Sequence, residues 1–177
     1  MNTFDPQKIL SDGLVTLVPL QNSDFERLYA VACDPLIWAQ HPNKERYQRE
    51  VFKTFFEGAL ASKGAYLIFD KQSGELIGSS RYYDADPETR SILIGYTFLA
   101  RSHWGGRYNP AIKRLMIDHA LSAFDSVIFH VGASNIRSQK AMEKLGAKKT
   151  GESGIAYYGE PSKLNVVYVI QKSDWPT

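Results

Sequence analysis

Residues 130–152 read HVGASNIRSQKAMEKLGAKKTGE, and the fold is decided by how this stretch is parsed. A β-branched run, Ser126–Val131 (SVIFHV), ends as a strand. A turn of small residues then leads to Asn135 at a helix start. The helix runs from about Ile136 to Leu145, with Ser138, Ala141, Met142 and Leu145 on one face. Gly146 suits its C-terminal stop. Asn135 can serve as a helix cap or contact a ligand, and one residue can do both. Ser138 reads equally as a first-turn capping residue.

Upstream, residues 102–116 read SHWGGRYNPAIKRLM. A strand ends, a Gly pair turns the chain and a second helix begins. Unpaired N–H groups at a helix start can hold an anion, and Gly105 and Gly106 let backbone approach it. Arg101 and Arg107 bracket the turn with positive charge. Neither a G-K-[ST] phosphate loop nor a G-x-G-x-x-G dinucleotide fingerprint is present. The bland reading competes: Asn109 as N-cap and Pro110 at the first helical position simply start the helix, here expected to run to about Phe124.

Outward from these two segments the chain alternates strand and helix. Leu14–Leu20 reads as a strand, and Ser23 with Glu26 as a capping box before a helix carrying Phe25, Leu28, Tyr29 and Ala32. Asp34-Pro35 breaks that helix. Asn43 is the expected cap of the next, with Tyr47, Val51, Phe55 and Ala59 four apart and Gly64 at its end. Strands follow at Ala65–Phe69, Glu75–Tyr83 and Ser91–Leu99, joined by a Ser73-Gly74 turn and a polar Asp84–Thr89 turn. Ile155–Tyr158 and Leu164–Ile170 are the last two strands. The order β-α-α-β-β-β-α-β-α-β-β is mixed α/β, and no linker or repeat divides it, so residues 1–177 read as one domain.

The 177 residues carry 21 Lys+Arg against 19 Asp+Glu, a formal charge of +2, with 44% hydrophobic residues. That excludes a disordered, collagen-like or coiled-coil chain. The single Cys33 leaves no internal disulfide and no thiol set for zinc, and a reducing cytoplasm is the expected location. No apolar run nears the ~20 residues that span a bilayer, and MNTFDPQKIL does not read as a secretory signal. Charge is uneven: nine basic residues face three acids between Arg101 and Lys149. This is a solvated helix face or a site for a polyphosphorylated small ligand; near-neutral total charge disfavours nucleic acid. No His/Asp/Glu spacing suggests a metal.

The N-x-x-S-x-x-x-x-E-K-L-G pattern of Asn135–Gly146 resembles the signature of the GNAT acetyltransferases, the acetyl-CoA-dependent N-acetyltransferases. Residues 94–111, IGYTFLARSHWGGRYNPA, are similar to that family's fourth strand and pyrophosphate loop, and the nearest branch resembles the RimJ/RimL ribosomal-protein N-acetyltransferases. The resemblance implies a mostly antiparallel twisted sheet flanked by helices, with the fourth and fifth strands splayed around CoA. It implies pantetheine contacts from Thr97, Phe98, Leu99, Ala100 and Asn135. Phosphate and helix contacts would come from Arg101, Gly105, Gly106, Arg107, Tyr108, Asn109, Ala111, Ser138, Lys140 and Lys144. The family loop reads R/Q-x-x-G-x-G/A. Aligned through Trp104, Arg107 stands in place of the first required glycine and Asn109 in place of the second Gly/Ala. Side chains, chiefly Arg107, are therefore expected to hold the phosphates.

For chemistry, the resemblance implies a backbone N–H at Phe98 or Leu99 as oxyanion donor. The family's proton-donating Tyr falls at Met142, which cannot donate, and Ser138 is the substitute on that helix. The family's strand Glu is missing too, because Ile92, Leu93 and Ile94 fill the segment. His41 is the candidate base, an imidazole near pKa 6.5 suiting the task; Asp84, Tyr82, Tyr96 and water are the alternatives. His103, His119 and His130 read as structural. Acetyl transfer from acetyl-CoA to a primary amine, either a protein N-terminus or a small molecule, is the expected activity of a monomer or homodimer. A non-catalytic acyl-CoA sensor on the same fold is one alternative. The other is a protein-interaction module docking through Trp38, Phe52, Phe55 and Phe56.

Overall fold

In a computed structural model, which describes residues 3–176, the chain forms an eight-stranded sheet. The strands are β1 (Leu10–Ser11), β2 (Val15–Pro19), β3 (Ala65–Asp70), β4 (Leu76–Asp86), β5 (Ser91–Leu99), β6 (Ser126–Gly132), β7 (Lys148–Ala156) and β8 (Ser162–Gln171). Their order is β1-β2-β3-β4-β5-β6-β8-β7, antiparallel throughout except for the parallel β5–β6 pair. The expected fourth and fifth strands are thus β5 and β6, the two-residue β1 having been unreadable in the sequence.

Helices cover both faces. On one lie α1 (Phe25–Ala32) and α2 (Arg49–Ser62), whose Leu28, Phe52, Phe55 and Phe56 bury with Trp38, Leu67 and Phe98. On the other, α3 (Tyr108–Leu121) is the crossover between β5 and β6, and its Ile112, Met116 and Ala120 meet Ile68, Ile77, Ile92 and Val127. Helix α4 (Ile136–Leu145) ends at Gly146, φ 89°. Trp38 and Phe52 are wholly buried and Phe55 and Phe56 are 4% exposed. They are core, and these four side chains do not form the docking patch expected as an alternative.

Several local expectations shift. The Gln21 N–H donates to the Asp24 carboxylate (2.7 Å), so Asp24, not Glu26, closes the entry to α1. Helix α2 starts at Arg49, not after Asn43, and Lys63 (φ 54°) is its left-handed stop. Gly64 is needed for closeness instead: a Cβ there would lie 2.4 Å from the Tyr82 carbonyl oxygen. Helix α3 begins at Tyr108, which places Pro110 third in its first turn, where its missing N–H costs nothing. The strand expected at Ile155–Tyr158 begins at Lys148 and ends at Ala156.

Candidate active site

Strand β5 carries a bulge. Phe98 pairs with Ser79 and Gly95 with Arg81, so Tyr96 and Thr97 together face the single residue Ser80. Tyr96 adopts φ 53°, rare for a bulky side chain. By this point β5 has already left β6. The β5–β6 ladder holds Ser91, Ile92 and Leu93 against Ser126, Val127 and Ile128, and then stops. The strands diverge around a cleft of about 670 Å³. The Ala100 N–H bonds to Ile77 O on β4 (2.7 Å). N–H groups alternate edges along a strand, so the Leu99 N–H faces the cleft. The Leu99 carbonyl on that same edge accepts from the Trp104 indole N–H (2.9 Å).

The loop after β5 is tied down from below. Asp70 at the end of β3 takes the Tyr108 hydroxyl (3.1 Å) and the His103 ring (3.3 Å) on one carboxylate oxygen. Burial pushes the Asp70 pKa up, but the bonds from Gln72, His103, Tyr108 and Ser73 outweigh it and hold it below its ordinary value. Above this anchor Gly105 (φ 65°) and Gly106 line the cleft at the start of α3. Across the cleft, the buried Asn135 caps α4, its Oδ1 accepting from the Ser138 N–H (3.2 Å). The N-termini of α3 and α4 both meet the cleft, but the leading N–H groups of α4 are spent: Ile136 donates to Ser134 O, Arg137 to Gln40 Oε1 and Ser138 to Asn135 Oδ1. Gly132 ends β6 under the Pro42 loop; a Cβ there would lie 2.6 Å from Pro42 Cγ.

His41 and Arg46 line the cleft as well. Burial first, then the charges of Arg46 and Arg137, push the His41 imidazole down to about 3. Arg46 is buried, and its Nε and Nη2 donate to both Glu160 carboxylate oxygens (3.0 and 3.1 Å). Trp38, Phe55, Tyr96 and Tyr157 surround its guanidinium at 5.2–5.8 Å. Under the bulge, Lys113 Nζ donates to Thr97 Oγ1 (2.5 Å). Burial pushes Lys113 down to about 7.

The acetyltransferase (GNAT) domain family matches residues 15–148. This chain belongs to the GNAT acetyltransferase family. Among solved structures it is similar to a GCN5-related N-acetyltransferase from Brucella melitensis, at 18% identity and TM-score 0.83 over 98% of this chain and 83% of that one. It is also similar in fold to Mycobacterium smegmatis RimJ in complex with CoA-disulfide (18%, TM-score 0.76, 97% and 90% covered). A third similar structure is the ribosomal-protein-S5-alanine acetyltransferase of Vibrio fischeri (15%, TM-score 0.69, 96% and 100% covered).

Most of the residues expected from the GNAT signature do meet in the cleft. Thr97, Phe98, Leu99, Gly105, Gly106, Asn109, Asn135, Ser138, Lys140, Lys144 and His41 all line it. Ala100, Arg101, Arg107, Tyr108 and Ala111 do not. Arg101 pairs with Asp34 (2.5 Å), Tyr108 turns to Asp70, and Arg107 is exposed at the start of α3. Arg137, by contrast, lines the cleft with its guanidinium 3.7 Å from the Trp104 ring centre. Tyr82, an alternative base, is buried with its hydroxyl donated to Met116 O (2.6 Å). His130, read as structural from the sequence, lines the cleft, and its buried Nδ1 has no hydrogen-bond partner among the described residues. Sequence reading missed Arg137, Lys113 and Arg46; only the surplus of basic residues after Arg101 hinted at the first two.

Proposed function

We infer that this GNAT chain is an acetyl-CoA-dependent N-acetyltransferase that moves an acetyl group to a primary amine by direct transfer in a ternary complex. The observation that carries this reading is the end of the β5–β6 ladder after Leu93 and Ile128. It leaves the β5 edge, with the Leu99 N–H, free to pair with an extended amide-bearing chain. The cleft fits an acyl-CoA. Residues 94–99 offer strand edge to pantetheine, and the N-terminus of α3 with Gly105 and Gly106 offers backbone donors to pyrophosphate. Arg137, Lys140 and Lys144 supply the charge.

Acetyl-CoA, when bound, supplies an activated thioester. The protein's part is to orient that group and the amine, and to stabilise charge. The Leu99 N–H is the oxyanion donor, a role worth ~10²–10³ in rate. Ser138 lines the cleft beside Met142 and is the hydroxyl available to the leaving thiolate. His41, uncharged across the working pH range, accepts a hydrogen bond from the amine instead of storing its proton. Calorimetry with CoA, dephospho-CoA and pantetheine tests the binding half: CoA should bind tightest, and equal affinities would overturn the reading. Thiol release from acetyl-CoA with a panel of amines tests the chemistry. Binding without turnover for every amine would identify a sensor.

A further inference from the structure

A second cavity, of about 630 Å³, lies between α2, β4 and the β7 end of the sheet. It adjoins the acyl-CoA cleft across Tyr96, His130 and Tyr157, which line both spaces. Its wall holds Arg81, 3% exposed, with no carboxylate within salt-bridge reach among the described residues. Of the five N–H donors of a guanidinium, Arg81 spends one on the Phe55 carbonyl (3.1 Å). Its flat face lies 3.7 Å from the Tyr96 ring centre. The nearby acid Glu160 is already taken by both nitrogens of Arg46, and Asp84 sits exposed at the rim. A buried cation without a counter-ion is costly, and a fork of unspent donors matches a carboxylate.

We propose that this cavity seats the acceptor as a primary amine that carries a carboxylate, the carboxylate pairing with Arg81 and the amine reaching the thioester past His130. This rests on the acetyl-transfer reading and narrows its acceptor. Burial pushes Arg81 down to about 10, and an anion paired with it offsets that penalty by favouring the charged form. The lip suits the other end of the molecule. Asp84 lies close enough to His130 to oppose the lowering of its pKa by burial, and it attracts the incoming ammonium. That ammonium first gives one proton to solvent. The neutral nitrogen then forms a bond to the thioester carbonyl carbon while the carbon–sulfur bond breaks. The electron pair leaves on sulfur, and the proton shed by the nitrogen ends on that sulfur. His130 Nδ1, unpartnered in the wall, is placed to hold the amine N–H in line.

The cavity is walled by Tyr83, Tyr96, Tyr157 and Tyr158, so aromatic probes are apt. Calorimetry on the CoA-loaded protein should compare L-phenylalanine and L-tyrosine with phenethylamine and tyramine, alongside the remaining L-amino acids. At least one amino acid should bind tenfold or more tighter than the amine lacking its carboxylate. Arg81→Met should erase that preference with CoA affinity unchanged, and Arg81→Lys should retain part of it. Equal binding of acid and plain amine, no binding of any amino acid to the wild type, or a folded Arg81→Met that still discriminates would each overturn the proposal. Thiol release with the same panel separates the two readings. Turnover of plain amines without carboxylate preference overturns the acceptor class alone. Carboxylate-selective binding with no thiol release overturns acetyl transfer to these amines and leaves the site standing.

Discussion

Lys113 Nζ donates to the Thr97 hydroxyl at 2.5 Å, buried beneath the β5 bulge with no carboxylate within salt-bridge reach among the described residues. Thr97 shares its hydroxyl with Ser80 (2.8 Å), so one short polar chain ties α3 to both strands of the bulge.

Lys113 therefore weakens the fold where it is charged. Its pKa is depressed from 10.5 to about 7, so the unfolded chain binds the extra proton between those values. Stability then rises with pH across that window and falls as pH drops from 10.5 to 7. Lys113→Met should be more stable than the wild type by about 1–3 kcal/mol at pH 6, with the gain shrinking above pH ~8. Urea melts at pH 6, 8 and 10 check this. A variant less stable at every pH would mean that the Thr97 bond outweighs the buried charge.

Arg137→Ala should weaken CoA binding by about 10- to 150-fold, as expected for loss of a charge-assisted contact of ~1.5–3 kcal/mol. Arg107→Ala should change it by less than about threefold, since that side chain is exposed outside the cleft. Calorimetry on the two variants decides; the reverse order would restore Arg107 to the phosphates.

Ser138→Ala should lower kcat by no more than ~10²-fold with CoA affinity kept, because a hydroxyl is a weak acid and thiolates leave readily. His41→Ala should leave the acidic limb of the pH–rate profile where it was, because His41 titrates at about 3, far below the working range. A limb near pH 6.5 that vanishes in the variant would make His41 the base.

Gly132→Ala should shift the Pro42 loop over the cleft, since the new Cβ would sit 2.6 Å from Pro42 Cγ. The expected cost is about 1–3 kcal/mol of stability, as for an overpacked site, together with weaker CoA binding. Chemical denaturation and calorimetry on one preparation measure both.

What the sequence revealed was local. Helix α4 was readable to the residue because a cap, an apolar face and Gly146 agree with one another. Long-range ties were not readable. The segment 43–48 looks helical but is held as a turn, with Arg46 buried in aromatic rings and paired to Glu160, 114 residues away. Strand β7 is an exposed edge beginning Lys-Lys-Thr-Gly-Glu, so it shows no apolar alternation to mark its start. Arg137 and Lys113 read as solvated charges, since nothing in their neighbours reveals that Trp104 and Thr97 come to meet them. The bulge at Tyr96 has no Gly or Pro within it, only Gly95 before it.

The extra residue at Tyr96 acts as a phase step in a two-beat rhythm. Before it, even-numbered Ile92 and Ile94 point toward α3; after it, odd-numbered Leu99 does, and Phe98 points toward α2. Amide directions swap with the side chains. Had the same residues run as a regular strand, with no bulge, Leu99 would lie four positions after Gly95 and share its direction, and the Leu99 N–H would be aimed at β4, where the ladder would consume it. The aim of that amide is therefore set by the one-residue bulge at Tyr96 and Thr97, and not by what the Leu99 side chain is.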